Sequence, residues 1–159
     1  MRIEAKLLEM GLQLHEPTPN PAGVQPRFSR VRVSGNRAYI TGHGPSASGG
    51  VVIPRGKVGA EVTLEQGYQA ARLTGLSILS SLKAELGDLD RVTAWLRVLG
   101  MVNVAPGFNR TPEVINGFTD LIMDLYGDEA GTHSRSAIGV AELPGSIAVE
   151  IEAEVEIAT

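Results

Sequence analysis

Apolar and polar residues alternate along two segments near the end of the chain, on either side of a Leu143-Pro144-Gly145 turn. In the first segment, Arg135 shares one face with the small residues Ala137, Gly139 and Ala141. In the second segment, the odd positions from 147 to 157 are apolar and the even positions from Glu150 to Glu156 are glutamate. A period of two predicts β-strands. Because a short turn joins them, we expect the strands to pair antiparallel and to bring Arg135 and Glu150 to one cleft.

The N-terminal region shows a short helical pattern followed by a connector. Residues 3–10 have apolar side chains at helical spacing, and Gly11 follows them as a stop signal. Prolines recur in residues 17–23 and favour extended backbone. Residues 1–27 are therefore predicted to form a helix and an extended connector.

A β-hairpin is predicted next. Residues 29–33 and 37–41 have strand-like sequences around Ser34-Gly35-Asn36, which has the composition of a tight turn. A glycine- and serine-rich loop at 46–50 and a weak strand at 51–53 follow.

Two amphipathic helices are separated by one strand. Thr63 and Gln66 have capping-box spacing, and the first helix continues to Leu86 before Gly87. Its apolar stripe consists of Tyr68, Ala71, Gly75, Leu79, Leu82 and Leu86. Small residues keep part of this stripe thin, so we expect the helix to lie close to a sheet.

Residues 91–104 are apolar on both faces, as in a central strand. Thr111 is the predicted N-cap of the second helix, with Pro112 at its first position and Glu113 in the first turn. Gly127 is the predicted end. The apolar stripe consists of Ile115, Phe118, Ile122 and Leu125.

This order predicts a single α+β domain over residues 1–159, with two helices on one face of a mixed sheet. Since two helices cannot cover both faces, self-association is the expected way to cover the other.

Composition argues against several classes of function. The net charge of -4, the pI of about 5.4 and the aromatic content of 4% disfavour nucleic-acid binding. No cysteine is present for disulfides or thiolate chemistry. The sequence shows neither a secretory signal nor an apolar stretch of roughly 20 residues, so no membrane association and a cytoplasmic location are expected.

The motifs of metal sites, catalytic triads and phosphate loops are also missing from the sequence. His15, His43 and His133 lack the spacing of zinc ligands, and no serine lies in a nucleophile elbow. The glycines at 56–59 lack the Gly-Lys-Ser/Thr ending of a phosphate loop. We therefore expect no metal site, no catalytic triad and no phosphate loop.

The charged residues of the last two strands also have structural interpretations. Glu152, Glu154 and Glu156 have the pattern of the solvated face of an edge strand. The structural interpretation of Arg135 is that it forms a salt bridge with one of these glutamates.

The segment from Arg135 to Pro144, Arg-Ser-Ala-Ile-Gly-Val-Ala-Glu-Leu-Pro, followed by Val149-Glu-Ile-Glu-Ala153, resembles the C-terminal signature of the RidA/YjgF reactive-intermediate deaminases, also called the endoribonuclease L-PSP family. Gly35-Asn36 followed by Thr41-Gly-His-Gly-Pro45 is similar to a second family motif. The resemblance covers nearly all residues after 23 and points to a longer, divergent subgroup.

This resemblance implies a chorismate-mutase-like fold, a homotrimer with clefts between subunits, and cofactor-free hydrolysis of 2-imino or enamino acids to 2-keto acids and ammonia. It also implies roles for individual residues. Arg135 would bind the substrate carboxylate, for which the guanidinium has suitable geometry. Glu150 would position or deprotonate the attacking water. Backbone groups near Gly42 and Ala137 would orient the imine.

The expected substrate pocket departs from the family pattern at two places. Phe28 aligns with a cleft tyrosine and lacks its hydroxyl. Thr41 keeps a hydroxyl at the family's serine position, whereas His43 replaces a glutamine and is either a second acid/base group or a filler of the pocket mouth.

Two other functions compete with deaminase activity. One is a non-catalytic trimeric module that binds small carboxylates, such as keto acids, for sensing or partner regulation. The other is an endoribonuclease, which the acidic pI and scarce aromatic residues disfavour.

Overall fold

The computed structural model describes residues 1–17, 23–45 and 53–159. Most of the predicted connector, the glycine- and serine-rich loop and most of the weak strand at 51–53 lie outside these residues. The helices are α1 (Arg2–Glu9), α2 (Leu64–Leu86) and α3 (Thr111–Gly131). The strands are β1 (Val31–Ser34), β2 (Arg37–His43), β3 (Val92–Asn103), β4 (Ser134–Val140) and β5 (Val149–Ile157).

These strands form one mixed sheet in the order β1-β2-β5-β3-β4. The expectation that the last two strands pair with each other is wrong, because β3 lies between them. β4 runs parallel to β3, and β5 runs antiparallel to both β3 and β2. The connection at 141–148 is long enough to pass the end of β3, as the bond from the Asn103 N–H to the Ala148 carbonyl (2.9 Å) shows. The chain therefore returns to the centre of the sheet instead of closing a hairpin.

The helices α2 and α3 cover one face of the sheet, as predicted. Their glycines allow a close crossing: a methyl group at Gly117 would collide with the carbonyl oxygen of Tyr68. A Cβ at Gly75 would lie 2.8 Å from Leu121 of α3. In addition to the predicted approach to the sheet, the thin stripe of α2 therefore accommodates α3.

The predicted helix ends are mostly confirmed. Thr63 and Gln66 form the capping box, and Gly87 follows α2 with φ 80°. Gly127, with φ 73°, interrupts the helical backbone of α3. Thr111 is not the N-cap of α3: Arg110 holds that position, and Thr111 is the first helical residue.

The opposite face of the sheet is open in the single chain. The glutamates of β5 point to this open face, because the odd positions of the strand are buried under the helices. Glu152, Glu154 and Glu156 therefore lie on the central strand, and their interpretation as the outer face of an edge strand is wrong. Within the described residues, no helix is both long and apolar enough to span a membrane.

Candidate functional site

Arg135 lies on the edge strand β4 and points to the helix-covered face. Its partner in the register is Val98, whose side chain is 1% exposed beneath the helices. One terminal nitrogen of the guanidinium donates to Oγ1 of Thr119 at 2.9 Å, and the other donates to the carbonyl of Pro112 at 3.2 Å. Both acceptors belong to α3, so this helix fixes the direction of the guanidinium.

Arg135 has no acidic partner within ion-pair distance among the residues that the structure describes. The salt-bridge interpretation of this residue is therefore wrong. Partial burial lowers the pKa of Arg135, against a weaker opposing effect of the Asp120 carboxylate. Asp120 itself accepts a hydrogen bond from the Tyr68 hydroxyl at 2.6 Å. A half-buried cation with only neutral hydrogen-bond partners is suited to bind an external anion.

The Thr119 hydroxyl that accepts from Arg135 also contacts His133. Nε2 of His133 lies 3.1 Å from Oγ1 of Thr119, and Nδ1 lies 2.7 Å from the Gly131 carbonyl. Burial lowers the pKa of His133, and the positive charge of Arg135 lowers it further. Neutral imidazole is therefore the favoured form here.

Ala137 lies on the same face of β4 as Arg135, two residues further on. Its carbonyl accepts a hydrogen bond from the Thr111 hydroxyl at 2.9 Å. This bond joins the start of α3 to the edge strand and uses the Thr111 side chain, which explains why Thr111 does not cap its own helix.

A second group of predicted site residues surrounds the end of β2. Phe28, Thr41, Gly42 and His43 line a cavity of about 550 Å³, together with Pro26, Arg30, Gly44, Pro45 and Ser77. The register of β2 against β5 shifts between Ile40 and His43. Such a bulge redirects side chains, and bulges occur frequently beside functional sites.

His43 points from this bulge into the protein and not to the cavity mouth. Its side chain is 7% exposed. Nδ1 lies 2.6 Å from the Thr41 carbonyl, and Nε2 lies 2.8 Å from the Ser81 hydroxyl on α2. Burial lowers the pKa of His43. With both nitrogens bonded, His43 joins β2 to α2, and this geometry favours a structural role over acid/base chemistry.

Glu150 lies on the other side of the same strand end. A Cβ at Gly42 would be 2.7 Å from Oε2 of Glu150, so the absence of a side chain at Gly42 makes room for this carboxylate. Burial raises the pKa of Glu150, and the neighbouring Glu152 charge raises it further. Within the described part of the chain, Glu150 has no ion-pair partner. A partly desolvated carboxylate of this kind is a candidate general base.

The structure does not bring Arg135 and Glu150 together within one chain. Glu150 and Ile138 are both opposite Met101 in the register, on the open face, whereas Arg135 points to the helices. With β3 between them, β4 and β5 are two strand spacings apart, which is about 10 Å. A single cleft that contains both groups therefore requires two copies of the chain.

Sequence reasoning missed Thr119 and the contact made by His133. His133, Arg135 and Ala137 occupy alternate positions and so share a face, which was a usable signal. Thr119 follows Phe118 of the apolar stripe on α3, and its contact with β4 depends on how the helix packs.

An acidic cluster of Glu4, Asp88 and Asp90 lies at the other end of the molecule. Asp90 accepts hydrogen bonds from the N–H groups of Arg2 and Ile3, and Glu4 pairs with Lys83 at 2.7 Å. These contacts attach α1 to the rest of the fold.

Residues 4–149 match the family model described as "YjgF/chorismate_mutase-like, putative endoribonuclease". Protein TCP17 of Trypanosoma cruzi is 37% identical over 158 residues, covering 98% of this chain and 94% of that protein. The crystal structure of Atu1372, a protein of unknown function from Agrobacterium tumefaciens, is 35% identical with a TM-score of 0.85, covering 99% of this chain and 93% of that one. E. coli TdcF with bound serine is 18% identical with a TM-score of 0.57, covering 92% and 99%. The predicted α+β, chorismate-mutase-like fold is therefore confirmed.

Proposed function

The chain belongs to the YjgF/chorismate-mutase-like family, and we propose that it hydrolyses 2-imino or enamino acids to 2-keto acids and ammonia without a cofactor. The observation that carries this proposal is the state of Arg135, a half-buried guanidinium with neutral partners and no acidic one in the described chain. Its natural complement is the carboxylate of a small acid.

Arg135 anchors the substrate in this proposal. Its contacts with Thr119 and Pro112 hold the planar guanidinium in one orientation. A carboxylate bound to the remaining N–H groups is fixed in position and angle. Orientation contributes several kcal/mol to a reaction that joins two molecules, here the imine and water.

Glu150 acts on the water. Its carboxylate takes a proton as the water oxygen adds to the imine carbon and passes it to the nitrogen, which gives a carbinolamine. It then carries the proton of the new hydroxyl to the same nitrogen, which leaves as ammonia as the carbon–nitrogen bond breaks and the keto group forms. The raised pKa of Glu150 favours this exchange, because it makes the carboxylate a stronger base. The products are a 2-keto acid and ammonia, so atoms and charge balance without a cofactor.

The catalytic unit is proposed to be a homotrimer. Arg135 lies at the exposed edge of the sheet, and Glu150 lies on the open face. If the β4 edge of one chain packs against the open face of the next, Arg135 of the first meets Glu150 of the second. Cyclic symmetry then repeats this cleft three times.

The test is the decay of imines generated in situ by an amino-acid oxidase. Wild-type protein is expected to accelerate decay, and both Arg135→Ala and Glu150→Gln are expected to lower the accelerated rate by about 100-fold or more. The matched controls are Arg2→Ala and Glu129→Gln, which change exposed residues on α1 and at the end of α3. The proposal would be contradicted if imines decayed at the uncatalysed rate in the presence of wild-type protein, or if Arg135→Ala kept full activity.

A second candidate is a trimeric module that binds small carboxylates without turnover. The bound serine in E. coli TdcF favours it, because serine carries a carboxylate. Binding of 2-keto acids that is lost in Arg135→Ala, combined with no turnover on a broad imine panel, is the result expected for this function. Ribonuclease activity has weaker support and would be indicated by RNA cleavage that disappears with the same variant.

A further inference from the structure

We propose that Thr119 and His133 are positioning residues that hold Arg135 in the orientation needed to bind a carboxylate. The three side chains form a continuous relay from β4 through α3 and back to the start of β4. The identity of the ligand that Arg135 binds rests on the proposed function. The coupling of the three residues does not, and it is testable without a ligand.

The directions of the hydrogen bonds follow from the chemistry of the groups. The Gly131 carbonyl only accepts, so Nδ1 of His133 carries the proton of the neutral ring. Nε2 is then an acceptor, and the Thr119 hydroxyl donates to it. This leaves the Thr119 oxygen lone pairs directed to the guanidinium, which donates at 2.9 Å. Neutral His133 is therefore the form that fits the relay.

The relay leaves part of Arg135 free. Of the five N–H donors of a guanidinium, one is directed to Thr119 and one to the Pro112 carbonyl. The other three have no protein acceptor within the described residues and are available to a carboxylate. Without Thr119, the guanidinium keeps only its bond to Pro112 and is free to rotate.

Protonation of His133 breaks this arrangement. Nε2 then carries a hydrogen and competes with Arg135 for the same hydroxyl oxygen, and a second positive charge appears beside the guanidinium. The groups around the ring are Arg135 on β4 and, on α3, the Thr119 hydroxyl, the Gly131 carbonyl and the Phe118 ring, whose centroid lies 6.0 Å from that of His133. Among the described residues, Arg135 is the charged side chain that acts on the pKa of His133.

The ligand experiment measures the dissociation constant of 2-oxobutanoate by calorimetry on the intact protein. At about pH 7.5, Thr119→Val is expected to weaken binding roughly ten-fold, whereas Thr119→Ser keeps the hydroxyl and stays within about two-fold of the wild type. The matched control is Thr93→Val, which removes an exposed hydroxyl from β3. Equal affinity in Thr119→Val and wild type would overturn the proposal.

The pH experiment separates positioning from a merely structural role. Lowering the pH from about 7.5 through the pKa of His133, which burial holds below its usual value, is expected to weaken wild-type binding, because the protonated ring breaks the relay. His133→Gln keeps an acceptor for Thr119 without titrating, so its affinity is expected to change less over this range. If the affinity of His133→Gln fell with pH as steeply as that of the wild type, the result would count against the relay.

A ligand-free measurement distinguishes failure of the relay from failure of the proposed function. NMR of the Arg135 side-chain N–H groups is expected to show restricted rotation in the wild type and faster rotation in Thr119→Val, with folding checked by circular dichroism. Restricted rotation in both proteins overturns the relay even if imines are hydrolysed. If rotation is restricted in the wild type and faster in Thr119→Val, but the protein neither hydrolyses imines nor binds keto acids, the relay is supported and the proposed function is rejected.

Discussion

The two faces of the sheet present the charges of the candidate site in different ways. On the helix-covered face, Arg135 is a single cation held by a hydroxyl and a backbone carbonyl. On the open face, Glu150 is one of four carboxylates along the central strand. The first group is fixed by contacts within its own chain. The second lies where a side chain at Gly42 would be and is partly buried in the single chain.

In the proposed function, one chain therefore contains both halves of the site but not the complete site. A strand directs alternate residues to opposite faces, and β3 separates the two strands concerned. Under the proposed function, substrate anchoring and water activation therefore meet only in an assembly. Four experiments test this division, and they are given from the largest expected effect to the smallest.

Subunit complementation is the strongest test of the division. Arg135→Ala and Glu150→Gln chains are each expected to be inactive, but every mixed trimer contains one cleft with both residues intact. Random mixing is expected to restore about one quarter of wild-type activity, because about three quarters of the trimers are mixed and one cleft in three is intact. Each variant mixed with itself is the control. No recovery in verified mixed trimers would place both residues of a cleft on one chain.

Gly117→Ala tests the covered face. A methyl group at this position collides with the backbone of Tyr68, which cannot move without separating α2 from α3. Urea denaturation is expected to show a loss of about 2 to 3 kcal/mol in the free energy of unfolding. A change within about 0.5 kcal/mol would mean that the two helices pack more loosely than the structure shows.

Gly42→Ala is the matching change on the open face, with the opposite expected outcome. The new methyl group meets the end of the Glu150 side chain, which rotates away more easily than backbone. Imine turnover is expected to fall about ten-fold, because the carboxylate is displaced. The free energy of unfolding is expected to change by less than about 1 kcal/mol. Loss of stability without loss of turnover would reverse the assignment of the two faces.

Glu152→Gln tests the charge environment of the open face. The Glu152 charge helps to raise the pKa of Glu150, so its removal lowers that pKa. The base form of Glu150 is lost as the pH falls through its pKa, and the acid limb of the pH–rate profile should therefore move to lower pH. At about pH 5 the variant is expected to be roughly two-fold faster than the wild type, relative to each protein's rate at neutral pH. A shift to higher pH would contradict Glu150 as the base.

Much of the fold was predictable because its signals are local. The capping box of Thr63 and Gln66, the hairpin turn at Gly35 and the break at Gly127 each depend on a few neighbouring residues. The alternation that put Arg135 on one face of β4 and the glutamates on one face of β5 was also correct. Thr111 was misplaced because a distant acceptor, the Ala137 carbonyl, competes for its hydroxyl.

The sequence by itself determined the helices, the strands and the direction in which each side chain leaves its strand, because periodicity and capping depend on near neighbours. It could not determine which strands pair, because a short connection is compatible with a hairpin and with a passage beyond β3. Only the tertiary structure placed Thr119 beside Arg135 and set the two charges on opposite faces of one sheet, with Arg135 under the helices and Glu150 on the open face. Those contacts join residues that helix packing and strand order bring together, and no local pattern encodes either.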